Sequence, residues 1–154
     1  MSESSFTLLR EIGSIFLTDE DEIRFSIDAY RGYRYVSVRR YLKTESFAGA
    51  TRDGLTLTPE IVRALQPRLA ALPDDIAQLK DGEIGKFAKR MGMCVVVSIG
   101  TFRGYRGLDL RQWEQDKGWT KKGVWIPLEK WKEIKQLFQQ TQVALDERPT
   151  EDFE

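Results

Sequence analysis

Side chains that can stack on flat rings alternate with side chains that can neutralise phosphates in two stretches of this chain. Tyr30, Tyr33, Arg39 and Tyr41 lie in the first. Phe102, Tyr105, Arg111 and Trp113 lie in the second, and Trp125 falls on the same parity further on. Arg31 and Arg34 flank the first set, Arg103 and Arg106 flank the second, and Lys121 and Lys122 follow. This is the chemistry of sequence-tolerant single-strand binding. Cations follow the phosphates, and each base stacked on an aromatic ring contributes about 1–3 kcal/mol whatever its identity. A cross-strand Tyr–Arg pair also stabilises a sheet by a few tenths of a kcal/mol. One such tyrosine is therefore ambiguous, but the whole set, repeated with its cations, favours ligand binding.

The residues that are missing narrow the chemistry further. The 154 residues include no histidine and one cysteine. That removes the usual general base and the Ser-His and Cys-His nucleophile pairs. Cys94 lies in the run Met93-Cys94-Val95-Val96-Val97, where a small buried hydrophobe is expected. No acidic cluster recurs with metal-site spacing. No catalytic residue, metal or cofactor is expected, and the chain is not expected to be an enzyme. No apolar window approaches the length of a membrane span. Met1 to Arg10 lacks a basic start followed by an apolar core. The expectation is an intracellular protein without membrane partners, in the cytoplasm or nucleoid, or in a nucleus, according to its source.

Net charge is zero, yet the charges are segregated. Arg24 to Arg52 holds seven Lys/Arg against two Asp/Glu, and Lys86 to Lys122 holds nine against three. Local fields steer polyanions, so this clustering outweighs the total. The acids gather at Asp19 to Glu22, Asp74 to Glu83 and the tail 146–154.

Both basic stretches belong to an internal repeat. Glu11-Ile12-Gly13 recurs as Glu83-Ile84-Gly85, Arg31-Gly32-Tyr33-Arg34 as Arg103-Gly104-Tyr105-Arg106, and Ser26-Ile27 as Ser98-Ile99, all at an offset of 72 residues. After three extra residues in the first copy, Gly54-Leu55-Thr56-Leu57 lies over Gly123-Val124-Trp125-Ile126. The spacing predicts copies at 11–72 and 83–145, joined by an acidic linker at 73–82 in which Ile76 and Leu79 could pack.

The elements that must position these residues follow from alternation. Phe25, Ile27, Ala29, Val36 and Val38 share one face, and Val95, Val97, Ile99, Leu108 and Leu110 repeat it. The aromatics and arginines take the other face. Arg31-Gly32 supplies a hairpin turn. Short strands are expected at 54–57 and 123–126, with Lys121-Lys122 and Trp119 in the loop before the second. A helix should start at Pro59-Glu60 with Thr58 as its cap and end or kink near Gln66, ahead of Pro67. A second helix, about 128–144, carries the apolar stripe Leu128, Trp131, Ile134 and Phe138, which should cover the core face of the sheet.

This ordered series resembles the transcriptional coactivator family of positive cofactor four. The first copy supplies Tyr30-Arg31-Gly32, then Val36-Ser37-Val38-Arg39-Arg40-Tyr41, then Gly54-Leu55-Thr56-Leu57-Thr58-Pro59-Glu60. The second supplies Phe102-Arg103-Gly104, Leu108-Asp109-Leu110-Arg111-Gln112-Trp113, Lys121-Lys122-Gly123 and Glu129-Lys130-Trp131. The resemblance implies an α+β fold: two tandem copies of a curved four-stranded antiparallel sheet followed by a C-terminal helix, paired as an intrachain pseudo-dimer. It also implies binding of single-stranded or melted DNA with little sequence preference, through Tyr30, Arg31, Arg39, Phe102, Arg103, Arg111, Lys121 and Lys122. A role in transcription regulation or genome maintenance follows. The first copy departs from the pattern, with Asp53 at the position of Lys122 and Val62 at that of Trp131, so the second copy should grip more strongly. RNA binding on the same face, or a protein partner such as transcription machinery packed on it, are the alternatives. Further self-association is left open.

Overall fold

Strict alternation of apolar and polar residues makes strands with one dry and one wet face, and the described residues form eight of them. The computed structural model describes residues 6–147; most of the tail, 148–154, lies outside the described residues. The strands are β1 (Thr7–Thr18), β2 (Asp21–Tyr30), β3 (Tyr33–Lys43), β4 (Ala48–Leu57), β5 (Gly82–Arg90), β6 (Met93–Phe102), β7 (Tyr105–Glu114) and β8 (Gly118–Pro127). Helix α1 (Pro59–Ala71) follows β4, and α2 (Trp131–Asp146) follows β8. The fold is α+β, with all strands in one curled antiparallel sheet. Its order, β1-β2-β3-β4-β8-β7-β6-β5, is palindromic about the β4–β8 boundary.

That boundary rests on a single residue pair, Gly54 opposite Gly123. The β2–β3 and β6–β7 hairpins are closed by Arg31-Gly32 and Arg103-Gly104. Both central residues of each turn have positive φ, 53° for the arginine and 83° for the glycine. Two-residue hairpins favour this geometry because its twist matches the strands.

The two helices lie on the dry face, and each packs across the boundary. Helix α2 rests on β1 and β2. Phe138 meets Phe25 edge-on at 5.2 Å, and Leu137 crosses Gly13, where an added Cβ would lie 2.9 Å from its Cδ2. Helix α1 touches β3 but packs also on β5. Arg68 donates to the Ile84 carbonyl at 3.1 Å, lies over the Phe87 ring, and fills the space a Cβ at Gly85 would need. The repeated Glu-Ile-Gly motif thus has a packing reason: its glycine is where a helix from the other half passes closest. One contiguous apolar core results, from Ile15 through Phe25, Val38 and Leu65 to Leu110, Ile126, Trp131 and Phe138. The start of α2 also grips the end of α1. Trp131 Nε1 donates to the Pro73 carbonyl, and Lys135 donates to the Leu72 carbonyl and to Asp74.

Several expectations need correction. Helix α1 begins as expected, with Thr58 accepting from the Ile61 N–H, but it passes through Pro67 and ends at Ala71. Pro67 is on the exposed face, where water can serve the Arg63 carbonyl that loses its donor. Leu65 and Leu69, buried one turn apart, hold the helix down on either side. Strands β4 and β8 begin well before residues 54 and 123. Trp119, Lys121 and Lys122 are therefore strand residues, not loop residues. The alternation fails there because each strand carries an irregularity opposite Arg40 or Gln112. Thr51 and Thr120 hold these bulges by donating to the Arg40 and Gln112 carbonyls. In the linker Leu79 is buried, but Ile76 is 39% exposed.

Candidate nucleic-acid interface

Residues paired across strands project to the same side, so the register assembles the wet face row by row. Following the pairs gives one row across all eight strands: Ser14, Arg24, Arg39, Gly54, Gly123, Arg111, Val96 and Lys86. Four of its members are cationic. Its middle two are glycines, and the flanking arginines lie across them. A Cβ at Gly54 would come within 2.9 Å of Arg39 Cζ, and one at Gly123 within 2.8 Å of Arg111 Cζ. The missing side chains let both guanidiniums lie flat over the central seam.

Each of these arginines is steadied by a bulge. Arg39 Nη1 donates to the Thr51 carbonyl at 3.2 Å, and Arg111 Nη1 to the Lys121 carbonyl at 3.4 Å. Arg111 is also paired with Asp109 at 2.9 Å. Arg24 lies 3.8 Å above the Tyr41 ring and pairs with Glu22 at 3.3 Å. The hydrogen bond from Ser14, followed by the Arg24 guanidinium, draws the Glu22 carboxyl below its ordinary range. Asp28 shifts the other way. Burial raises it, against the hydrogen bond from Ser26 and the nearby Arg39 charge.

Aromatic clusters lie to either side of the row. At the hairpin ends Tyr30 pairs with Tyr33 and Phe102 with Tyr105. Tyr33 and Tyr105 are about 70% exposed (68% and 72%). The guanidiniums of Arg31 and Arg103 lie 5.2 and 5.1 Å from the Tyr30 and Phe102 ring centroids. An arginine at φ 53° is strained by about 1–2 kcal/mol. The same residue holds this strained position over an aromatic ring in both hairpins. At the opposite end Tyr41 sits in the first half, while Trp113 pairs with the exposed Trp119 in the second.

The two halves fill the space behind the hairpin differently. In the first, Phe6 stacks on Tyr30 at 4.7 Å and meets Tyr35 edge-on at 5.9 Å. In the second, Gly107 stands where the first has Tyr35, and the Trp125 indole lies over it, 2.2 Å from where a Cβ would be. Trp125 and Phe102 are 6.3 Å apart. With Ser98, Gly100, Thr101, Asp109 and Arg111 they line an open pocket of about 340 Å³.

Of the residues expected from sequence, Tyr30, Arg31, Tyr33, Arg39, Tyr41, Phe102, Arg103, Tyr105, Arg111, Trp113 and Trp125 come together on this face. Lys121 and Lys122 are exposed at the β8 bulge beside it. Arg34 and Arg106 do not rim the face. Alternation from Tyr33 and Tyr105 turns them to the helix side, where Arg34 donates to the Leu145 carbonyl and Arg106 binds Asp81 and the Ile76 and Leu79 carbonyls. Sequence reasoning put Arg24 on this face without naming it as a binding residue, and it missed Lys86 and Phe16. Arg24 was visible by parity. Lys86 and Phe16 lie on the edge strands, whose bulges hide their parity. Among the described residues no three His, Cys, Asp or Glu side chains could hold a metal ion. Compared with known proteins, the chain matches no family model and no curated protein sequence.

Proposed function

We propose that this protein binds single-stranded DNA across the wet face of its sheet, with little dependence on sequence over most of the strand. On this reading the chain is two tandem copies of one four-stranded unit paired as an intrachain pseudo-dimer, and it serves transcription regulation or genome maintenance. The observation that carries it is the cationic row centred on Arg39, Gly54, Gly123 and Arg111 with stacking rings on both sides. Eight strands at about 4.8 Å spacing give the row a path of about 34 Å. A strand on that path meets cations for its phosphates and rings for its bases. Asp28, Glu22 and Asp109 interrupt the positive field, which favours a ligand that offers bases as well as phosphates. A duplex hides its base faces and has less to gain here.

The test is binding of fluorescent single-stranded DNA, duplex DNA and RNA of equal length across a salt series. Single-stranded DNA should bind best. With the four cations of the row engaged, log K should fall against log salt with a slope of about −3. Arg39→Ala combined with Arg111→Ala should weaken binding at least tenfold without unfolding the chain. Equal affinity for duplex, no binding at low salt, or a double variant with unchanged affinity would overturn the assignment; tighter RNA binding would move it to RNA.

A further inference from the structure

The pocket behind the Phe102 hairpin is a recess in the wet face, and a carboxylate lies in its wall. We infer that it captures one guanine base from the bound strand, so that a surface otherwise indifferent to sequence reads one position. This deepens the proposed single-strand reading and rests on it.

The pocket exists because of two substitutions between the halves. Asp28 and Tyr35 of the first half face each other across β2 and β3, and the corresponding pair across β6 and β7 is Gly100 and Gly107. Gly107 lets the Trp125 indole lie against the backbone. Space over Gly100 is open, with no atom within 4 Å of where a Cβ would be. The result is a recess beside a flat indole, walled by Phe102, wide enough at about 340 Å³ for a single base.

Its polar groups select the occupant. Asp109 and Ser98 are directly opposed across the strands. Arg111 holds the Asp109 carboxylate side-on, Nη2 to one oxygen at 2.9 Å and Nε toward the other at 3.5 Å. Each oxygen keeps a lone pair for another donor. In the first half the matching serine, Ser26, donates to Asp28; Gly100 removes that carboxylate and leaves the Ser98 hydroxyl facing Asp109. A carboxylate repels phosphate, so this wall suits a base edge rather than the backbone. The Watson–Crick edge of guanine presents two adjacent N–H donors, at N1 and N2, followed by the O6 acceptor. The two donors match one carboxylate, and the acceptor matches a neighbouring hydroxyl. Adenine and cytosine offer one amino donor beside an acceptor, which would face the carboxylate. Thymine offers one imino donor between two carbonyls.

The experiment uses the full chain and a thymine tract of about twelve nucleotides, unmodified or carrying one central guanine, inosine, adenine or cytosine. A good bidentate contact discriminates against the wrong base by about tenfold or more, so guanine should raise affinity about tenfold over the plain tract. Inosine, which lacks the N2 amino group, should lose most of that gain. Asp109→Asn should bring the guanine-to-thymine ratio toward one, whatever it does to absolute affinity. Gly100→Val, which fills the recess, should do the same. Equal binding of all five tracts would overturn the guanine site while leaving the strand reading intact. A guanine preference that survives both variants would place the reading elsewhere and also overturn it. Binding of none would overturn the strand reading itself.

Discussion

Lys89 should make the stability of this protein rise with pH. Its ammonium is largely buried, donating to Thr56 of β4 at 2.9 Å and to Gln112 of β7 at 2.8 Å, and so ties the two halves of the sheet together. Burial, with Arg90 and Lys122 nearby, lowers its pKa from 10.5 to about 8, and Glu114 offsets this only in part. Below pH 8 the lysine is protonated both folded and unfolded, and folding carries the full cost of burying its charge. Between about 8 and 10.5 the unfolded chain binds more protons than the folded one, so stability increases with pH. At about 1.4 kcal/mol per pH unit, that interval corresponds to about 3 kcal/mol. Urea unfolding of the native chain and of Lys89→Met, measured from pH 7 to 10, isolates the effect. Tyrosines and other lysines titrate in both proteins, so the difference between them reports Lys89. The native chain should gain on the variant by up to about 3 kcal/mol across the range. A difference that stays constant with pH would refute the burial of a charged lysine at this junction.

Further outcomes follow from other sites. Pro67→Ala should restore a hydrogen bond inside α1 and stabilise the protein by about 2 kcal/mol in chemical denaturation; a loss of stability would mean the proline is required there. Arg31→Asn with Arg103→Asn should relieve two positive-φ arginines, raising stability by up to about 1 kcal/mol per turn while weakening strand binding several-fold in a titration. Phe6→Ala should uncover Tyr30 and Tyr35 and increase affinity for longer single strands, read by the same fluorescence assay; unchanged affinity would show that the first half does not stack bases at that position.

How far the sequence revealed the fold depended on whether a signal was local. The hairpins were legible because Arg-Gly turns sit between clean alternations, and the Thr58 cap of α1 because a capping residue acts within one turn. The apolar stripe of α2 marked Trp131, Ile134 and Phe138 as buried. A stripe does not say against what, so the crossing of each helix onto the opposite half was invisible until Gly13 met Leu137 and Gly85 met Arg68. The beginnings of β4 and β8 escaped because a bulge breaks the period of two on which strand recognition depends. For the site, parity collected most of the face correctly. It was Arg34 and Arg106 that the turn motif misplaced, since proximity to a hairpin does not determine which side a residue faces. The opposed glycines at the seam carry no side-chain signal at all, and their role appears only once β4 lies beside β8.

The crossing of the helices also governs how this chain can be synthesised. Residues 131–146 leave the ribosome more than a hundred residues after Ile15, Ile23 and Phe25, yet α2 packs on the strands that carry them. Until then β1 and β2 lack that lid on their apolar face. They must remain soluble, or be shielded, until α2 emerges. A nonsense mutation just ahead of the α2 codons would therefore uncover the apolar face of β1 and β2, more than a hundred residues upstream, and the truncated product would be a substrate for chaperones and proteases.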